Sequence, residues 1–134
     1  MLYNGAGEAI RAIYHFRFDG PPVLDAAKDF PNADLFVANW RAIRDEALAI
    51  SKRRTLPRFE EIMPEQAEIS AVDRRDWRVF MPKVYGREFP ENLAECPVLA
   101  SLLHQTPEVL SAILSYLDPH KRIPRHRGPF RGIM

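Results

Sequence analysis

The sequence predicts an α+β protein, helical in its first half and built on short strands in its second. Three observations carry that expectation. Residues 33–52 hold one long apolar stripe at helical spacing. Residues 77–85 alternate and residues 112–117 form a short apolar run, both patterns of strands. Prolines recur from Pro57 to Pro129; an interior proline removes a helix hydrogen bond and clashes with the preceding turn, so long helices belong to the first half. The 134 residues fit one domain by length. Within it we expect a mainly helical region over 1–76 and the start of a β core over 77–134.

The elements follow in order. In residues 7–17, Ala9, Ile10, Ile13 and Phe16 share one side of a short helix, with His15 a surface residue beside them. Asp19-Gly20-Pro21-Pro22 is a turn, and 23–30 holds one or two helical turns. The longest helix runs from Ala33 to Lys52. Asn32 is its expected N-cap, Asp34 suits its positive end, and Lys52, Arg53 and Arg54 suit its negative end. Phe36, Trp40, Ile43, Ala47 and Ile50 form its core-facing stripe, and Arg41, Arg44, Asp45 and Glu46 its solvated face. Leu56-Pro57 ends it.

Residues 58–76 read as a loop with a helical turn. Glu60, Glu61, Glu65 and Glu68 suggest a metal-binding carboxylate cluster, but Pro64 keeps them off one helix face, so a solvated acidic loop is expected. Trp77 to Tyr85 is a strand; Pro82 confines it to an edge or marks a bulge, and Gly86 closes it. Residues 90–104 become helical at about Pro97, which suits a first helical position. Val98, Leu99, Leu102 and Leu103 form its apolar face, with His104 at its C-terminal end. Cys96 is a small buried group with no base beside it in sequence. Ala112–Leu117 is a buried strand with Ser115 as its odd residue. Asp118-Pro119 turns the chain, and Ile123–Met134 is a bent strand or bulged hairpin arm.

Charge and composition exclude several classes. The net charge of +1 gives no global attraction to nucleic acid or membrane, although five Lys or Arg and no acid lie between His120 and Met134. One cysteine excludes an intramolecular disulfide and a cysteine metal cluster. No apolar run approaches the ~20 residues needed to span a bilayer. The N-terminus lacks a basic region followed by an apolar core. A cytoplasmic protein with no transmembrane segment and no nucleic-acid partner is the expectation.

The C-terminal text SYLDPHKRIPRHRGPFRGIM sets a serine-bearing strand before a proline turn and an I-P-x-H-x-G-P motif. That order resembles the aspartyl/asparaginyl β-hydroxylase family. Upstream, Trp77 at the head of a strand, the Tyr85-Gly86 turn, Cys96-Pro97 before a helix, Leu102-Leu103 and the Pro107 turn follow the same order. The resemblance covers about residues 77–134 well and the N-terminal half only loosely. It implies a double-stranded β-helix (jelly roll), here incomplete, and an Fe(II)- and 2-oxoglutarate-dependent dioxygenase. His126 then corresponds to the first iron-binding histidine, and Ser115 to the hydroxyl that contacts 2-oxoglutarate. Many non-haem iron oxygenases place a carboxylate two residues after that histidine; Gly128 stands here, in keeping with the family's two-histidine site. His15, His104 and His120 all precede the motif, so none corresponds to the distal ligand. The resemblance thus implies the N-terminal portion of such an enzyme, inactive by itself, with the strands at 112–117 and 123–134 open to association.

Three readings of function follow. The first is a hydroxylase, or a truncated remnant of one, acting on an unactivated C–H of a peptide side chain or an acyl chain, with 2-oxoglutarate as small-molecule cosubstrate. The second is a binding module whose basic arm at 120–134 contacts an anionic partner, which salt-dependent binding would reveal. The third is a dimerisation module built on the 33–52 stripe, testable by sedimentation.

Overall fold

The computed structural model describes residues 12–13, 16–17 and 25–126. The chain forms two compact units, one of Met1–Pro31 with Arg125–Met134 and one of Asn32–Pro124.

In the first unit, Ala12, Ile13, Phe16 and Arg17 are helical, and Ile13 and Phe16 are exposed. Ala9, Ile10 and His15 lie outside the described residues. Helix α1 (Ala26–Asp29) is one turn, capped by Asp25, whose carboxylate accepts the Ala27 N–H at 3.0 Å.

The second unit packs helices on a small sheet. Helix α2 (Ala33–Arg53) matches the expected span. Ile50 is fully buried, and Phe36 packs against the same cluster. Its cap differs from expectation: the Asn32 side chain makes no cap bond and donates instead to Glu108 Oε1 at 2.7 Å. Trp40 is also a correction. It is 47% exposed, with the Arg41 and Arg44 guanidinium carbons 4.8 and 5.2 Å from its ring centroid. Over 58–76 lie three short helical turns, α3 (Phe59–Ile62), a 3-10 turn (Pro64–Gln66) and α4 (Ala67–Ser70). Pro64 opens the 3-10 turn, so the break falls where the sequence put it.

Strand β1 (Trp77–Val84) is the middle strand of a three-stranded antiparallel sheet of order β2-β1-β3, with β2 Arg87–Glu88 and β3 Ala112–Leu117. Pro82 therefore marks a bulge, not an edge: the β1–β3 register shifts between Phe80 and Lys83, where a residue without an N–H can be tolerated. The Tyr85-Gly86 turn has both residues at positive φ, 48° and 81°, the combination a two-residue hairpin loop requires. It returns the chain into β2, which the sequence pattern did not reveal.

Helix α5 (Pro90–Leu93) is a short turn, and α6 (Pro97–Gln105) starts at its proline as expected. Phe80, Leu93, Cys96, Leu99 and Leu103 join Ile50 and Leu56 in one buried cluster. One face of β3 closes it through Ala112, Leu114 and Tyr116; the Tyr116 hydroxyl donates to the Ala47 carbonyl at 2.9 Å. Ile113, Ser115 and Leu117 on the other face are exposed. The expected buried strand is thus half-buried, because helices cover only one side of it.

Glu46 corrects the solvated-face reading. Its carboxylate accepts the N–H groups of Val98 at 2.6 Å and Leu99 at 3.1 Å. It caps α6 from a neighbouring helix, placing an anion where the first-turn N–H groups are otherwise unsatisfied. We expect Glu46→Ala to lower stability by about 1–2 kcal/mol, the range for loss of a helix cap. A urea titration against wild type checks this, and a change within experimental scatter would show that the cap is dispensable.

Candidate functional site

The site is built from the paired ends of β1 and β3 and the chain leaving β3. In the ladder, Trp77 pairs with Leu117, Val79 with Ser115 and Phe80 with Leu114. Ser115 is exposed, while Val79, directly across from it on the same face of the sheet, is buried. Trp77 lies diagonally across the strands and donates its indole N–H to Ser115 Oγ at 3.4 Å. Its ring is stacked on Phe59 at 3.9 Å between centroids, which fixes the indole. Accepting that bond leaves the Ser115 hydroxyl hydrogen available to an acceptor.

Two aspartates in the loop before β1 hold the segment after Ser115. Asp76 and Asp118 exchange bonds: the Asp76 N–H reaches Asp118 Oδ2 at 2.8 Å, and the Asp118 N–H reaches the Asp76 carbonyl at 3.0 Å. The Asp76 carboxylate is in turn gripped by Arg58 at 2.7 Å and by Arg78. The chain then turns through Pro119 and His120, whose φ of 63° is left-handed, and the Lys121 N–H closes the turn on the Asp118 carbonyl at 3.0 Å. Lys121 folds back. Its side chain is 1% exposed, and its ammonium bonds Asp73 at 2.7 Å and the Ser70 carbonyl. The other Asp73 oxygen accepts the Arg122 N–H at 2.9 Å. Ser70 donates to Glu60 at 2.6 Å, so the acidic loop is partly a structural bracket. Among the described residues no group of three or more His, Cys, Asp or Glu is placed to hold a metal ion.

Asp73 shows the electrostatic consequence. Its bonds from Lys121 and the Arg122 N–H hold its carboxyl at about 2, below the ordinary 3.8. A depressed folded pKa adds stability above the unfolded value and loses it as pH falls. The contribution is full above about pH 4, declines between 3.8 and 2, and is absent below. Asp73→Asn should lower the urea midpoint at pH 5, and the gap from wild type should close as pH approaches 2. An equal gap at both pH values would contradict the assignment.

Ser115 is exposed. His126, also exposed, lies four residues beyond the pinned Arg122. The two belong to different compact units. Ile123 to His126 form no strand, correcting the expected hairpin arm as far as the described residues reach; Pro124 has no N–H to give a ladder. Residues 127–134, with Gly128, lie outside the described residues. Lys121 is not part of a free basic arm, because it is buried against Asp73. Asp73, Asp76 and Lys121 were missed at the sequence level; their only trace was an acidic loop upstream of a basic segment.

His104 occupies the last turn of α6, as expected, with Nε2 3.9 Å from Glu88. Cys96 is fully buried, and burial beside Glu46 and Glu95 pushes its thiol up to about 11. Its S–H donates to the Asn92 carbonyl at 3.2 Å. We expect a disulfide reagent to modify Cys96 at neutral pH only at the rate of unfolding, accelerating in urea. Fast labelling of the native chain would contradict this.

Residues 37–134 match the aspartyl/asparaginyl beta-hydroxylase family. The chain belongs to that family. It is also 31% identical over 119 residues to an ornithine lipid ester-linked acyl 2-hydroxylase of Rhizobium tropici. That alignment covers 88% of this chain and 41% of the relative, so the chain spans well under half of the relative's length. No solved structure matches. The matched span contains Ser115, His126 and the whole Asp73–Lys121 bracket. The family and the relative are both named for hydroxylases. Among the described residues no helix is long and apolar enough to cross a membrane.

Proposed function

We propose that residues 1–134 are the segment of an acyl-chain hydroxylase that carries the first metal ligand and the first cosubstrate contact. In this reading His126 supplies an imidazole to Fe(II), Ser115 donates its hydroxyl to a carboxylate of 2-oxoglutarate, and β1–β3 are early strands of a double-stranded β-helix. The observation that carries it is the match to the hydroxylase family over 37–134, together with the relative that acts on a lipid acyl chain.

The residues fit the groups they would hold. Neutral imidazole is a suitable ligand for Fe(II), and His126 is exposed. Ser115 keeps a donor after accepting from Trp77. Fe(II) with 2-oxoglutarate and O2 supplies the oxidising power to insert one oxygen atom into an unactivated C–H bond. The chain's own residues act around that chemistry. Trp77, stacked on Phe59, orients the Ser115 hydroxyl. Asp76 and Asp118 fix the end of the serine strand, and Asp73 holds the chain that follows at Lys121 and Arg122. Holding the Ser115 contact on pinned backbone reduces the ordering cost at binding. The second histidine and the further cosubstrate contacts would come from outside residues 1–134.

The test is a chimaera in which residues 1–134 replace the matching segment of the Rhizobium tropici enzyme. Supplied with Fe(II), 2-oxoglutarate and ornithine lipid, it should release succinate and form the 2-hydroxyacyl lipid. A well-folded chimaera that does neither would overturn the reading. The basic-arm alternative is less favoured, since Lys121, one of its five charges, is engaged in the buried pair.

A further inference from the structure

The loop before β1 and the chain leaving β3 bring three arginines to one place. The Asp73 carboxylate joins the two segments: Oδ1 accepts the Arg75 N–H at 3.1 Å, and Oδ2 accepts the Arg122 N–H at 2.9 Å. Arg74 lies between Asp73 and Arg75, inside the same side-chain-closed turn. Arg74, Arg75 and Arg122 are all exposed. Among the described residues, none of their guanidinium groups has a hydrogen-bond or ion-pair partner.

The carboxylates of these segments are committed elsewhere. Asp73 is taken up by the buried Lys121 ammonium at 2.7 Å and by the two N–H groups. Asp76 is gripped by Arg58 and Arg78, and Asp118 Oδ2 accepts the Asp76 N–H. Like charges on a free chain separate. Here Asp73 pins the backbones that carry them, so their repulsion persists until an anion relieves it.

We propose that Arg74, Arg75 and Arg122 form a binding site for a phosphate group. A guanidinium presents its donors as a planar fork that matches phosphate oxygens two at a time. A phosphate monoester carries about 1.5–2 negative charges at neutral pH, which suits three cations better than a single carboxylate does. The site goes beyond the hydroxylase reading and does not depend on it. Arg75 lies two residues before Trp77, so the phosphate would sit at the Trp77–Leu117 end of the β1–β3 ladder. The phosphate can belong to a soluble ester or to a lipid head group, and both present the same oxygens.

The experiment titrates the chain with glycerol 3-phosphate by calorimetry, and with vesicles of phosphatidylcholine with and without phosphatidic acid by co-sedimentation. Saturable binding of glycerol 3-phosphate assigns the site to a soluble ester. Binding of the phosphatidic acid vesicles alone assigns it to a lipid head group. Each of Arg74→Gln, Arg75→Gln and Arg122→Gln should weaken the binding by about ten-fold, and salt should weaken it in wild type. Arg41→Gln, on α2, should leave it unchanged. All four side chains are exposed, so these variants should keep the wild-type circular dichroism spectrum. Asp73→Ala separates an assembled site from a merely positive surface. It removes a negative charge, so a charge effect would tighten binding, whereas loss of the bracket should weaken it. No binding to either probe would overturn the proposal. So would equal binding by the three arginine variants and wild type, or tighter binding by a folded Asp73→Ala.

Discussion

Leu103→Ala should cost about 2–5 kcal/mol, the range for truncating a buried leucine in a core that relaxes only partly. Leu103 is 1% exposed, within the cluster formed by Ile50, Leu56, Phe80, Leu93, Cys96 and Leu99. It lies where α2, β1 and α6 meet, so its loss opens a cavity that no single side chain can fill. Domains of this size are stable by only about 5–15 kcal/mol, so the variant should lose a large share of its margin. The urea midpoint should fall by about 1–3 M with little change in slope. Leu48→Ala provides the contrast: its side chain is half exposed, and its cost should stay within about 0.5 kcal/mol. Equal costs at the two positions would mean that the helix–sheet cluster is not the core of this unit.

His126→Ala should abolish turnover in the chimaera, by more than the 10–100-fold that removal of an outer-shell partner of a metal ligand typically costs. Ser115→Ala should behave differently. It removes one hydrogen bond to a charged group, worth about 1.5–3 kcal/mol, which raises the KM for 2-oxoglutarate by about 10- to 100-fold. The split matters because a merely structural serine would change stability and leave that KM alone. Trp77→Phe retains the stacking ring but not the indole donor, so it should raise the same KM in a milder form.

What the sequence makes legible is local. The α2 stripe and the proline at the start of α6 place two helices to within a residue, because 3.6-residue periodicity and the missing proline N–H act on the chain next to them. The strands at 77 and 112 are legible for the same reason. Trp40 was not. It lies ~80° around the helix from Ile50, at the margin of the apolar stripe, and periodicity alone cannot tell a margin that packs from one that faces solvent. Glu46, Asn32, Asp73 and Lys121 were misread or missed because their partners lie 52, 76 and 48 residues away in sequence. Each looks like an ordinary surface polar group until the fold brings its partner near. Strand β2 is two residues long, shorter than any alternation that could be recognised. For the proposed site, the order of motifs is what nominates Ser115 and His126, whereas the bracket of Asp73, Asp76 and Lys121 emerges only from tertiary contacts.

The measurement that bears most directly on the central claim is metal binding at His126. Titrated with Mn(II) in the presence of 2-oxoglutarate under anaerobic conditions, the chimaera should take up one metal ion. Its electron paramagnetic resonance spectrum should change when the cosubstrate is added. His126→Ala should lose that site while keeping the wild-type circular dichroism spectrum and urea midpoint. Unchanged Mn(II) affinity in His126→Ala would contradict the account, because the imidazole of His126 would then not be a ligand.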